Sequence, residues 1–166
     1  MERLETNGLK AMPERPPFAA QAALTSPLQE TIAMTIHTDQ NTSTRTIKQP
    51  GPDHPIDMAQ NPRRVVVTVA GRVVADTRRA LTLKEANYPA VQYIPRDDVD
   101  MSLLDGSDHT TYCPYKGECR YYSIPSGGER AINSVWTYES PYPAVAVIKN
   151  HVAFYPDRVD AIEEIA

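Results

Sequence analysis

Cysteine is almost missing from this chain. Two in 166 residues are too few for a disulfide framework, and no apolar signal-type stretch opens the sequence, so both read as reduced thiols in a cytoplasmic protein. Long apolar runs are missing too. None approaches the ~20 residues of a membrane helix, so no membrane partner is expected. Basic charge is not in excess: 17 Lys and Arg stand against 21 Asp and Glu, for a net charge of −4. That balance carries no electrostatic footprint for nucleic acid. Nor is the charge segregated, since residues 1–46 hold four basic and five acidic side chains. Phosphate-cradling glycine patterns, the G-x-S-x-G elbow and the H-E-x-x-H metal motif are all absent, so no nucleotide or metalloprotease chemistry has motif support and no cofactor is called for. No internal repeat occurs.

Two compositional regimes are present. Residues 1–46 mix alanine, proline and polar residues without a sustained period, and read as a disordered or weakly helical leader. Pro27–Ile36 is its one candidate helix, with Ser26 as N-cap and Gln29 closing a capping box. Met34 and Met58 each precede workable starts, so part of this segment reads as dispensable. Pro50-Gly51-Pro52-Asp53-His54-Pro55-Ile56 is too proline-rich for helix or central strand and is expected to be an ordered extended arm.

From Arg63 the pattern turns β. Arg64–Ala70 and Arg72–Thr77 flank Ala70-Gly71, a hairpin turn. Leu81–Glu85 alternates apolar and polar as a half-buried strand does, and Ala90–Ile94 is bounded by prolines. Asp97–Leu104 reads as a short helix with aspartates at its positive end, stopped by Asp105-Gly106. Strands follow near Thr110–Cys113 and Cys119–Ile124. Ser126–Glu129 is expected to be a flexible tip. Val135–Glu139 and Val152–Tyr155 are strands, Ala144–Lys149 a helical turn or strand, and Val159–Ile165 a frayed helical end. The sum is a mostly β, antiparallel, sandwich-like single domain over residues 47–166 with one or two short helices.

Thr110-Thr111-Tyr112-Cys113-Pro114-Tyr115-Lys116-Gly117-Glu118-Cys119-Arg120-Tyr121-Tyr122 concentrates the chemistry. A thiol three residues from an ammonium is a candidate nucleophile, because positive charge favours thiolate. Lys116 would lower the Cys113 pKa or hold an anion, and His109 would serve as base if the chain returns it. The plainer alternative makes Cys113 a buried strand residue and Pro-Tyr-Lys-Gly a hairpin turn, with Gly117 supplying positive φ. Zinc draws little support. Cys113, Cys119, His109 and His151 offer four ligands, but C-x₅-C without a second pair is not structural zinc spacing. Tyrosine outnumbers phenylalanine nine to two. Tyr88, Tyr93, Tyr121, Trp136 and Tyr138, with Tyr112, Tyr122 and Tyr142, suit a small-molecule cleft or cross-strand packing equally. His54 could fold over the site with its arm and bring an imidazole; the plainer expectation is that Asp53 and the prolines fix the arm while His54 packs or hydrogen-bonds locally.

Taken together, PGPDHPI (50–56), NPRRVVVTVAGRVVADT (61–77), Glu85-x-x-Tyr88-Pro89-x-x-x-Tyr93-x-Pro95, TYCPYKGECRYY (111–122), WTYESPYP (136–143) and VAFYPDRVD (152–160) resemble a bacterial family catalogued as domain of unknown function 427. The resemblance spans about residues 47–166. It implies a small antiparallel fold similar to the β-tent group, which includes zinc-binding, methionine-sulfoxide-reducing and small-molecule-binding members. It implies Cys-Pro-x-Lys-Gly as the signature, with a small residue often at the position of Cys119. It also brings Glu85 into the candidate set as acid, base or ligand anchor, against the plainer view of a surface partner for Arg78 or Arg79.

Three functions follow. The first is binding of a small molecule in a Tyr- and Trp-lined cleft beside the Cys-Pro-Tyr-Lys-Gly turn. The second is an enzyme with Cys113 as nucleophile or redox thiol, Lys116 as charge stabiliser, and Glu85 or His109 handling protons. The third is an accessory module that pairs its edge strands with a partner or with a second copy as a homo-oligomer.

Overall fold

The structure, a computed structural model, describes residues 45–166. All but the last two residues of the expected leader, including its candidate helix, lie outside the described residues. Ten strands follow in order: β1 (Ile56–Gln60), β2 (Arg64–Val69), β3 (Arg72–Thr77), β4 (Leu81–Glu85), β5 (Val91–Pro95), β6 (Asp105–Cys113), β7 (Gly117–Ser123), β8 (Val135–Thr137), β9 (His151–Phe154) and β10 (Ala161–Ile165). They form a seven-stranded sheet, β1-β4-β5-β9-β8-β7-β6, and a three-stranded sheet, β10-β2-β3. The strand pairings are antiparallel. Among the described residues no helix is long and apolar enough to cross a membrane.

Alternation along the strands gives the larger sheet two buried faces. Ile94, Val135, Val152 and Phe154 point to one face and join Val65, Val67, Val69 and Val74 of the small sheet in one core. Their neighbours Tyr93 and Ala153 point the other way, into a second core with Leu83, Cys119, Tyr121, Tyr138 and Ile148. A strand's side chains change face at every residue, so one register defines both cores. The first core is aliphatic. The second carries the tyrosines, and the site lies there.

The β2–β3 hairpin turns on Ala70-Gly71 as expected, with Val69 opposite Arg72. Both turn residues have positive φ, 50° and 72°, the backbone of a type I′ turn. Several segments differ from the sequence reading. The arm does not end at Ile56 but continues as β1, whose Met58 pairs with Leu83. The expected helix over Asp97–Leu104 is two 3₁₀ turns, Arg96–Asp98 and Met101–Leu103. Between them Val99 bridges to Ala75 and is buried, and that tertiary contact outweighs weak local helix preference. Asp105-Gly106 then opens β6 rather than ending a helix. The expected helical end is the strand β10, which pairs Ile162 with Val67 along the outer edge of β2. Ala-Ile-Glu-Glu-Ile favours helix locally, but unpaired β2 backbone offers five residues of ladder.

The glycine-rich tip is folded as well. Pro125–Ala131 is a 3₁₀ segment, and Gly127 donates its N–H to the Ile124 carbonyl at 2.9 Å. A Cβ on Gly127 would lie 2.5 Å from the Ala131 methyl and 2.8 Å from Val69 Cγ1. Ala144–Lys149 resolves as a 3₁₀ segment over Pro143–Ile148 that buries Val145 and Ile148 in the second core.

Candidate functional site

Three sequence-remote segments meet at one end of β4. Glu85 closes the strand. Its carbonyl accepts from Tyr88 N–H at 2.9 Å, and Ala86 N–H donates to the Pro55 carbonyl at 2.8 Å, so the turn after β4 is tied to the proline arm. His54 Nε2 lies 2.9 Å from Glu85 Oε1. The β6–β7 hairpin tip supplies the third segment. Cys113 stands opposite Gly117, and Pro114-Tyr115-Lys116 forms the loop between them. Gly117 has φ of 105°, as its place in the turn requires, and a Cβ there would meet Ser140 O at 3.4 Å. This turn directs the Lys116 ammonium onto Glu85 Oε2 and lays Tyr115 flat on His54, ring centroids 4.0 Å apart.

The Glu85–Lys116 pair is deeply placed, with side-chain exposures of 16% and 7%. Burial by itself pushes the Glu85 carboxyl upward. The hydrogen bonds from His54 and Lys116, with the ammonium charge, outweigh it and hold the carboxyl below the usual range. Glu85 is therefore an anion at neutral pH, and His54 Nε2 is the donor to it.

Beside this pair opens a cleft of about 540 Å³, walled mainly by apolar and aromatic side chains. Five of the eight aromatic residues that the sequence nominated line it: Tyr88, Tyr93, Tyr121, Trp136 and Tyr138. Glu85 and Lys116 form its polar wall. Trp136 Nε1 donates to the Tyr93 hydroxyl at 3.3 Å, their rings edge to face. Burial raises the hydroxyl pKa values of Tyr93, Tyr121 and Tyr138, so these groups stay neutral.

The other nominated residues lie elsewhere. Cys113 is half-buried against the second core and is not on the cleft wall. Among the described residues, the side-chain partner of the Lys116 ammonium is Glu85, not a thiol. His109 stands on an irregular stretch of β6 and tilts against Tyr121 at 4.7 Å between ring centroids. Cys119 does reach the cleft, but only 2% of it is exposed, and burial pushes its thiol up, away from thiolate. Tyr112 and Tyr142 share a hydroxyl–hydroxyl bond of 2.9 Å outside the cleft, which pushes Tyr112 up to about 12. Tyr122 lies under the Arg96 guanidinium. His151 bonds the Lys149 carbonyl through Nδ1 at 2.8 Å. Among the described residues no group of three or more His, Cys, Asp or Glu is placed to hold a metal ion.

Sequence reasoning placed some residues of the site and missed others. Of the two readings of His54, the local one fails: His54 reaches Glu85, 31 residues away. Arg79, nominated as a Glu85 partner, pairs with Asp98 at 2.6 Å instead. Tyr155 packs on Trp136 at 4.4 Å; its segment was legible as a motif, its direction was not. Gln92 and Glu164 also line the cleft. Glu164 was out of reach because β10 had been read as helix, where its neighbours would differ.

The fold and site define a mostly β antiparallel protein with an aromatic cleft sealed at one end by a buried ion pair. The chain belongs to the family described as "Domain of unknown function (DUF427)", which matches residues 57–165. No curated protein matches the chain.

Proposed function

We propose that this domain binds a small molecule in the Tyr- and Trp-lined cleft. The observation that carries the proposal is the Glu85–Lys116 pair on a wall that is mainly apolar and aromatic. Pockets that hold small molecules are mainly apolar, span ~300–1,000 Å³, and contain a few fixed polar groups that orient the ligand. Here the rings supply contact area at little entropic cost. The pair presents one donor and one acceptor, held in place by His54 and its stack on Tyr115. A flat ligand with a hydroxyl, carbonyl or amide head suits that wall. Catalysis by Cys113 draws less support, since the Lys116 charge is directed to Glu85.

A ligand-observed NMR screen of mono- and bicyclic aromatic compounds tests the proposal. Hits should lose their signal with Trp136→Ala and keep it with Cys113→Ser. Hits that survive Trp136→Ala, or no hits at all, would refute it.

A further inference from the structure

We infer that the cleft selects a cationic ligand, an amine or quaternary ammonium on an aromatic or apolar body, seated between the Trp136 wall and the Glu164 carboxylate. This rests on the small-molecule reading above and adds the sign of the charge. The cleft wall carries one ammonium and two carboxylates, Lys116, Glu85 and Glu164. Lys116 is neutralised by Glu85, so the remaining charge is that of Glu164.

Among the described residues Glu164 is held in place by amides and pairs with no cation. Its Oε2 accepts from Asn61 Nδ2 at 3.1 Å and its Oε1 from Gln92 Nε2 at 3.1 Å. The Asn61 amide also donates to Gln92 Oε1 at 3.0 Å, and Asn61 itself is buried. Thr82 Oγ1 donates to the same Gln92 oxygen at 2.9 Å. Two amides therefore orient both oxygens, and neither brings a positive charge. Every other side chain in that network is neutral, so the carboxylate keeps its attraction for a cation.

The neighbouring aromatic wall favours the same sign. Indole and phenol faces carry negative potential and attract cations, tryptophan most strongly. Tyr155 already has the Arg158 guanidinium 4.8 Å from its ring centroid, and that group donates to the Ile132 and Asn133 carbonyls. Arg158 is not among the residues that line the cleft, so its stack shows that the Tyr155 ring accepts a guanidinium without filling the cavity. An anionic ligand would meet the Glu164 carboxylate at the exposed rim of the cleft, with Lys116 already committed to Glu85.

The chain has one tryptophan, so the indole N–H of Trp136 gives one resonance in a ¹⁵N NMR spectrum. Titration at low salt with benzylamine, phenyltrimethylammonium, benzyl alcohol and benzoate reads the cleft directly. The two cations should bind about tenfold more tightly than the alcohol, and benzoate more weakly than either. Glu164→Gln should cut the amine-over-alcohol ratio at least about threefold, while Glu118→Gln, the same charge change outside the cleft, should leave that ratio as it is. Equal binding of alcohol and amine, preference for benzoate, or a ratio unmoved by Glu164→Gln overturns the charge assignment and leaves the cleft standing. No shift with any of the four overturns both.

Discussion

Replacing Glu85 by Gln removes one half of a buried pair and keeps its shape. Lys116, 7% exposed, would then hold an ammonium in an aromatic wall with no counterion. Breaking a fully buried pair costs ~3–5 kcal/mol, mainly through the stranded charge. The amide oxygen still accepts one hydrogen bond and the cleft admits water, so about 2–3 kcal/mol is expected here. For a domain of this size that lowers Tm by about 10 °C. Lys116→Met should cost less, about 1–2 kcal/mol, because Glu85 keeps its bond from His54. The double variant strands neither charge, so its loss should fall short of the sum by ~1–2 kcal/mol. The Glu85 carboxyl is depressed in the folded state. Its contribution is therefore complete above the unfolded value of about 4.3 and is lost as pH falls through the lower folded value. Urea unfolding of the four proteins from pH 7 to pH 3 measures all of this. The gap between wild type and Glu85→Gln should be flat at neutral pH and begin to narrow below about pH 5. A Glu85→Gln cost under ~0.5 kcal/mol, additive variants, or a gap that widens as pH falls would refute an ion pair that stabilises the fold.

Alkylation by iodoacetamide under native conditions should label Cys113 first, with Cys119 protected until unfolding, because Cys119 is buried and its thiol pushed up; peptide mapping reports the order. Ala70→Gly should stabilise the domain by ~0.5–1 kcal/mol, since Ala70 holds φ of 50° in the β2–β3 turn and glycine adopts it without strain; thermal melts decide the sign. Ile94→Ala should destabilise by ~2–5 kcal/mol, as a fully buried side chain where the two sheets meet; denaturant midpoints give the value.

Local pattern was enough for most of the sheet. Arg64–Val69, Arg72–Thr77, Leu81–Glu85 and Val135–Thr137 alternate or run β-branched between turn formers, and period-2 patterning is a property of neighbours along the chain. Gly117 was legible for the same reason, because a tight turn closing on that residue needs positive φ. The tyrosines that line the cleft could be nominated from composition and spacing. That they share one cavity rather than line two cores depends on register, which no single strand reveals.

The rest required contacts between distant segments. Val159–Ile165 has the local preferences of a helix and becomes β10 because β2 has an open edge beside it. Lys116 looked like the partner of Cys113, three residues away, yet the hairpin tip folds against β4 and gives its charge to Glu85. His54 could have stayed local or reached over the site, and it completes that pair across 31 residues. The sequence by itself determined the central strands and the two hairpin turns, and which residue types are available to a site. Tertiary structure alone decided which charge meets which, because Coulomb and hydrogen-bond energies fall off over a few ångströms of space and take no account of distance along the chain.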